Sequence, residues 1–209
     1  LQIEIVGFEY TISKKHITMS QRINCFIPYG DETQTKETIL NLKKDALVGK
    51  IYLLNAGEKG RCALEGCEVV DVPSLKNTEA MKKIAERADA DFTLLYTKES
   101  KLEWVHFALE RMVNIAEDSG AAMIYADHFN VIDGVRSFAP VIDYQMGSLR
   151  DDFDFGSVLL YRTSAFKEAV SRMNINYKFA ALYDLRLKVS QKGVLEHMNE
   201  YLYYEVEMD

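Results

Sequence analysis

The sequence predicts an α/β domain: a mainly parallel sheet covered by helices on both faces. Two observations lead there. From residue 22 onward, short apolar runs alternate with segments whose apolar residues recur at helical spacing. The run Phe92-Thr93-Leu94-Leu95-Tyr96 is apolar and aromatic, the pattern of a strand buried on both sides, and it breaks at once into Thr97-Lys98-Glu99. In such sheets ligands bind where strand ends meet helix starts, so function is expected near Thr97 to Glu99.

The elements follow in order. Val6, Phe8, Tyr10 and Ile12 alternate with polar residues and Gly7, which reads as a strand, with a bulge possible near Val6-Gly7 where Ile3 and Ile5 change phase. Met19-Ser20 reads as a natural start, so residues 1–20 are expected to be an N-terminal extension and 21–209 a single domain. Arg22 to Pro28 is the first core strand, closed by Pro28-Tyr29-Gly30. A helix starts at Asp31 to Gln34, buries Ile39, Leu42, Ala46 and Leu47, and is expected to stop at Gly49. Strands are predicted at Ile51 to Leu54 and Cys67 to Val72. A helix with Ala80, Met81, Ile84, Ala85 and Ala88 on one face leads to Phe92–Tyr96. Ser100 and Glu103 have capping-box spacing, so a helix is expected to begin there and run through Leu102, Val105, Leu109, Met112, Val113 and Ala116 to Gly120. A strand at Ala122 to Ala126 ends at Asp127-His128, and a polar loop passes through Asp133-Gly134. A strand at Ser157 to Tyr161, helices marked by Phe166 to Met173 and Leu182 to Val189, and an aromatic strand at Tyr201 to Val206 complete the domain.

The composition narrows the function classes. A net charge of −7, with no basic cluster longer than Lys14-Lys15-His16 or Lys82-Lys83, argues against nucleic acid as a partner. Three cysteines are an odd count that suits a reducing compartment, so the expected location is cytoplasmic; the Cys62–Cys67 spacing is not that of a zinc site. No apolar run reaches the length of an integral membrane segment.

The order of these elements resembles the family 2 glycosyltransferases and their GT-A fold, the three-layer sandwich of nucleotide-diphospho-sugar transferases. The resemblance covers roughly residues 22–206. Ile23-Asn24-Cys25-Phe26-Ile27-Pro28-Tyr29 looks like the family's opening strand. Ile51-Tyr52-Leu53-Leu54-Asn55-Ala56-Gly57-Glu58 looks like the strand that ends in Asp-Asp-Gly-Ser, and Ala90 to Tyr96 like the strand that carries the metal-binding Asp-x-Asp. Gly156 to Arg162 looks like the later strand ending in Arg, and Tyr183-Asp184-Leu185-Arg186-Leu187-Lys188 like the Glu-Asp-Trp-Asp-Leu helix. Three departures stand out. Asn55-Ala56 replaces Asp-Asp, Thr97-Lys98-Glu99 replaces Asp-x-Asp, and Ala181-Leu182 stands where the family has its catalytic Glu-Asp.

The resemblance implies a nucleotide-sugar partner and a saccharide or lipid-linked acceptor. Sugar transfer needs the leaving diphosphate neutralised, a base for the acceptor hydroxyl, and a nucleotide held for in-line attack. Pro28, Tyr29, Asp31, Asn55, Gly57, Glu58, Thr97 and Lys98 are the candidate nucleotide-binding residues. Glu99 is a weak candidate metal ligand for Mg or Mn, since hard cations want several oxygens; with Lys98 as counter-charge the alternative is a metal-independent site. The favoured reading of Glu99, over that of a metal ligand, is that it only complements the positive end of the following helix. Asp152 and Asp154 repeat on one side of an extended segment and are the candidate base, with Phe153 and Phe155 packing inward. The alternative is a solvated acidic turn capped by Arg150. Tyr144 to Gly156 sets polar groups between aromatics, as sugar sites do. Asp184, on the family helix, is the third catalytic candidate. His16, His106 and His197 read as incidental, and Trp104 and Phe107 as helix packing.

Three function classes compete. One is a divergent glycosyltransferase. The second is a GT-A domain that has lost its chemistry and binds a nucleotide, glycan or protein. The third, a nucleotidyltransferase, needs a Gly-rich phosphate loop that is not visible near Tyr29-Gly30-Asp31.

Overall fold

A computed structural model describes residues 21–56, 64–145, 147 and 153–207. The N-terminal extension, Gly57, Glu58, Arg150, Asp151 and Asp152 lie outside these residues.

The described strands are β1 (Ile23–Pro28), β2 (Val48–Ala56), β3 (Glu68–Val72), β4 (Phe92–Tyr96), β5 (Lys101–Trp104), β6 (Met123–Ile132), β7 (Val135–Ala139), β8 (Val158–Arg162) and β9 (Leu195–Glu207). The helices are α1 (Glu32–Lys43), α2 (Thr78–Arg87), α3 (Ala108–Ser119), α4 (Thr163–Ser171) and α5 (Ala181–Ser190). All nine strands join one sheet in the order β3-β2-β1-β4-β8-β6-β9-β5, with β7 paired to β6. The pairings β1/β2, β1/β4, β2/β3 and β6/β9 are parallel, and β8 runs antiparallel between β4 and β6. The main body of strands therefore points one way, with β5, β7 and β8 reversed. This is the predicted α/β class.

Period-two alternation builds the two cores. Cys25, Leu53, Leu94 and Leu160 face α1 and α3, while Phe26, Leu54, Leu95 and Leu159 face α2, α4 and α5. The layers follow from this: helices cover both faces at the centre of the sheet, so β1 and β4 are buried along their whole lengths.

Several expected boundaries move. Helix α1 ends at Lys43, and Gly49 lies inside β2 rather than ending a helix. Ala46 and Leu47 thus belong to the connection, where Leu47 N–H is held by the Asp45 carboxylate at 2.9 Å. The helix expected from Ser100 does not form. Lys101–Trp104 is instead a strand, paired antiparallel with β9. The Ser100 hydroxyl that would cap a helix pairs with the Tyr96 hydroxyl at 2.8 Å, and Leu102 N–H donates to Thr38 Oγ1 at 3.0 Å. Helix α3 starts only at Ala108, after Phe107 in the left-handed region with φ 59° and no side-chain cap. It does end at Gly120, also left-handed, as predicted.

Strand β6 continues past Asp127 and His128, which sit in its middle. The expected polar loop is a tight hairpin: Asp133 and Gly134, φ 51° and 75°, turn β6 straight into β7. Two consecutive left-handed residues match the twist of a two-residue hairpin, which is why Asp-Gly suits it. No helix among the described residues is long and apolar enough to cross a membrane.

Candidate active site

Parallel strands deliver their C-terminal ends to one edge, and most of the predicted nucleotide-binding residues lie there. Pro28 pairs with Leu54, and Tyr29 N–H donates to Leu54 O at 3.0 Å, so the ends of β1 and β2 are level. Asp31 caps α1, its Oδ1 accepting from Gln34 N–H at 3.0 Å. Asn55, near the end of β2, donates through Nδ2 to Asp71 Oδ1 at 2.8 Å, while its buried Oδ1 has no partner. The turn after β4 closes against the turn after β1. A Cβ placed on Gly30 would lie 2.7 Å from Glu99 Cβ, so only glycine allows this approach. Pro28, Tyr29, Asp31, Asn55, Thr97, Lys98 and Glu99 thus share one edge.

β8 starts at the same edge because it runs antiparallel to β4. Thr97 N–H donates to Ser157 O at 2.9 Å. That bond sets residues 154–157 beside Thr97-Lys98-Glu99. Asp154 is exposed, and its Oδ1 accepts from Gly156 N–H at 2.8 Å. Phe155 is fully buried against Tyr125, and Phe153 packs on it at a tilt with centroids 4.4 Å apart. The expected inward packing of both rings is found.

Beneath this edge is a polar cluster that the sequence reading passed over. Glu205 on β9 is 3% exposed. Lys98 Nζ and the Ser157 hydroxyl both donate to its carboxylate, and His128 Nε2 lies 3.3 Å from Oε1. Burial holds the His128 pKa below its ordinary value, against the opposing pull of Glu205. A neutral His128 that donates from Nε2 leaves Nδ1 as an acceptor, and that atom is buried with no partner. The Tyr203 ring stacks on His128 at 5.0 Å, and the Tyr203 hydroxyl accepts from Ser157 N–H at 3.0 Å. Gly156, φ 72°, closes the cluster: a Cβ there would lie 2.5 Å from the Tyr203 oxygen and 3.6 Å from His128 Nδ1.

The remaining candidates fall elsewhere. Asp184 is nearly buried in the first turn of α5, paired with Lys188 Nζ at 2.5 Å, and its Oδ2 has no partner. His197 is not incidental. Its Nδ1 is 2.6 Å from Asp143 Oδ1 and its Nε2 is 3.0 Å from Asp127 Oδ1. Asp127 and His128 have separate partners, as alternation on a strand requires. The Tyr125 phenol, pushed up to about 12 by burial, donates to Ile142 O and accepts from Tyr144 N–H. These bonds fasten residues 141–144 to the sheet.

Among the described residues, no group of three or more His, Cys, Asp or Glu side chains converges as a cation site would need. The charged groups on the β4 turn are an ammonium, Lys98, and one carboxylate, Glu99. By itself this pairing offers a divalent cation one oxygen-bearing side chain.

Glu205 escaped the sequence reading because Tyr201 to Glu207 looks like an ordinary alternating strand with a polar face. The register of β6 against β9 shifts on both sides of Asp127, so His128 comes to lie opposite Tyr203. Nothing local in the sequence announces that shift.

No protein-family model and no curated protein matches this chain. Solved structures do. The crystal structure of Staphylococcus aureus TarS residues 1–349 aligns with a TM-score of 0.60 at 11% identity, over 88% of this chain and 60% of that one. Its complex with UDP-GlcNAc aligns with a TM-score of 0.59 at 10% identity, over 90% of this chain and 59% of that one. The UDP complex gives 0.56 at 10% identity, over 89% and 60%. The chain spans about 60% of the length of these TarS structures. At such identity the likeness concerns architecture alone: this chain has a glycosyltransferase-like α/β fold.

Proposed function

We propose that the chain binds a nucleotide sugar at the common edge of β1, β2 and β4 and transfers its sugar, as a divergent family 2-type glycosyltransferase of GT-A architecture. The observation that supports this most is the approach of Gly30 to Glu99, which brings the β1 and β4 turns together with Lys98 between the strand ends and Glu205. The fold is shared with a protein crystallised with UDP-GlcNAc and with UDP. Tyr29, Asp31, Asn55 and Thr97 hold the nucleotide. Lys98 neutralises the diphosphate without a metal ion: its ammonium has three N–H groups and Glu205 takes one of them. Asp154 is the base, an exposed carboxylate among the described residues beside that turn; Asp184 holds α5 through Lys188. The acceptor is a saccharide or lipid-linked hydroxyl compound.

Calorimetric titration with UDP and UDP-GlcNAc, each with and without manganese, tests the nucleotide site. Binding that does not depend on manganese is expected. Absence of binding in both conditions would sink the reading. Asp154→Asn is expected to lower donor turnover by about a hundredfold or more while leaving UDP affinity unchanged.

A second reading has one observation in its favour. Asn55 Nδ2 is already committed to Asp71, and Lys98 to Glu205, so the edge is tied up where the family has free carboxylates. On that reading the domain binds nucleotide without turnover. UDP affinity with no release of sugar from UDP-GlcNAc would establish it.

A further inference from the structure

After β7 the chain runs back over the sheet, and side chains of β6 and β9 hold residues 141–144 there. Val141 N–H donates to Asp127 Oδ1 at 2.8 Å. The Tyr125 phenol donates to Ile142 O at 3.0 Å and accepts from Tyr144 N–H at 2.7 Å. The contact between His197 Nδ1 and Asp143 Oδ1, 2.6 Å, is of another kind. It joins a ring whose side chain is 4% exposed to a carboxylate that is 71% exposed.

His197 lies between two carboxylates, since its Nε2 is 3.0 Å from Asp127 Oδ1. An ionised carboxylate only accepts, so each contact needs a hydrogen on the ring nitrogen. The imidazolium has both hydrogens and the neutral ring has one. Burial decides where that one stays. Asp127 is 6% exposed and depends on its protein donors, whereas water can solvate Asp143. The neutral ring therefore keeps Nε2–H for Asp127, and Nδ1 turns a lone pair toward Asp143, where two acceptors repel. Tyr125 stacks on the ring at 4.9 Å, with planes 10° apart, and holds it in this plane.

We propose that His197 is a proton-operated latch on residues 141–144. The imidazolium binds Asp143 and closes the segment onto the sheet. Loss of the Nδ1 proton to solvent frees Asp143 and loosens the segment, while Asp127 keeps its donors. Histidine suits such a device because its charge changes near neutral pH. The titratable and charged groups about the ring are Asp127 and Tyr125 from β6, Asp143 from the segment itself, and Glu196 beside it on β9, whose field reaches Tyr125. From α5, Arg186 lies over the Phe155 ring that meets Tyr125 edge-on. The latch reaches the strand-end edge through rings: Tyr144 meets Phe153 edge-on at 6.1 Å and lies 6.3 Å from Phe155, on either side of Asp154 in the chain. The inference concerns the segment and holds whether or not the chain transfers sugar.

NMR of the nitrogen-15-labelled full chain from about pH 5 to 9 tests it, across the range in which histidines change charge. The Nδ1 signal of His197 is expected to lose its proton while Nε2 keeps its own, and the Tyr144 amide is expected to shift with the same midpoint. Amide exchange, corrected for the intrinsic effect of pH, gives the size of the change. Protection of Tyr144 N–H is expected to fall about tenfold on deprotonation, the worth of one hydrogen bond between charged groups. Asp143→Ala removes an exposed side chain, so the fold survives, and the Tyr144 step is expected to vanish. His197→Gln keeps a donor for Asp127 but carries no charge, and the step is expected to vanish there too. A Tyr144 amide that does not respond to pH in the parent, a step that persists in Asp143→Ala, or loss of the Nε2 proton in place of the Nδ1 proton overturns the proposal.

Discussion

Glu205 shows how much one buried carboxylate can organise. Its oxygens receive Lys98, Ser157 and His128, from the turn after β4, the start of β8 and the middle of β6. Three elements are thereby tied to β9 through one side chain. Glu205→Gln keeps the shape but removes the charge that these donors answer. It is expected to lower stability by about 2 kcal/mol, or roughly 5 °C in melting temperature by thermal unfolding. His128 gives a pH signature. Its pKa is lowered in the folded protein, chiefly by burial, so the unfolded chain binds the proton more readily. Stability from this residue is present above the ordinary histidine value near 6.5 and is lost as pH falls through and below it. Melting curves between about pH 5 and 7.5 are therefore expected to be flatter for His128→Gln than for the parent, since the substitution removes that proton linkage.

At the scale of elements, two glycines separate conformation from crowding. Gly134 and Gly156 both have positive φ, 75° and 72°. Gly134 faces open space in its hairpin, whereas Gly156 abuts the Tyr203 hydroxyl. Gly134→Ala is expected to cost about 1 kcal/mol, the left-handed penalty alone. Gly156→Ala adds a clash in a packed site and is expected to cost about 3 kcal/mol. Denaturant midpoints of the two variants compare them directly. The same scale explains where local signals failed. Ser100-x-x-Glu103 spells a capping box, yet the serine hydroxyl was more strongly placed against Tyr96, and an open edge of β9 was waiting for a partner. The Asp133-Gly134 pair carried its hairpin meaning locally, but β7 is exposed along most of its length and lacks the apolar alternation that marks a half-buried strand.

The whole molecule makes its candidate site from segments far apart in the chain. Tyr29, Asn55, Lys98, Asp154 and Glu205 come to one edge only because parallel strands end there while β8 begins there. If Lys98 serves the diphosphate, its charge is what matters. Lys98→Ala is expected to weaken UDP binding about tenfold, and Lys98→Arg to retain most of it, by calorimetry. Composition and periodicity were enough to determine the α/β class, the core strands β1, β2, β4 and β8, and the buried faces of the five described helices. These depend on short-range patterning, because a side chain's face is set by its neighbours two to four residues away. The strand β5, the partners of His197 and the Glu205 cluster were decided by tertiary structure alone. Each depends on which distant strand lies alongside and in what register, and a shift of one residue there turns every side chain to the other face.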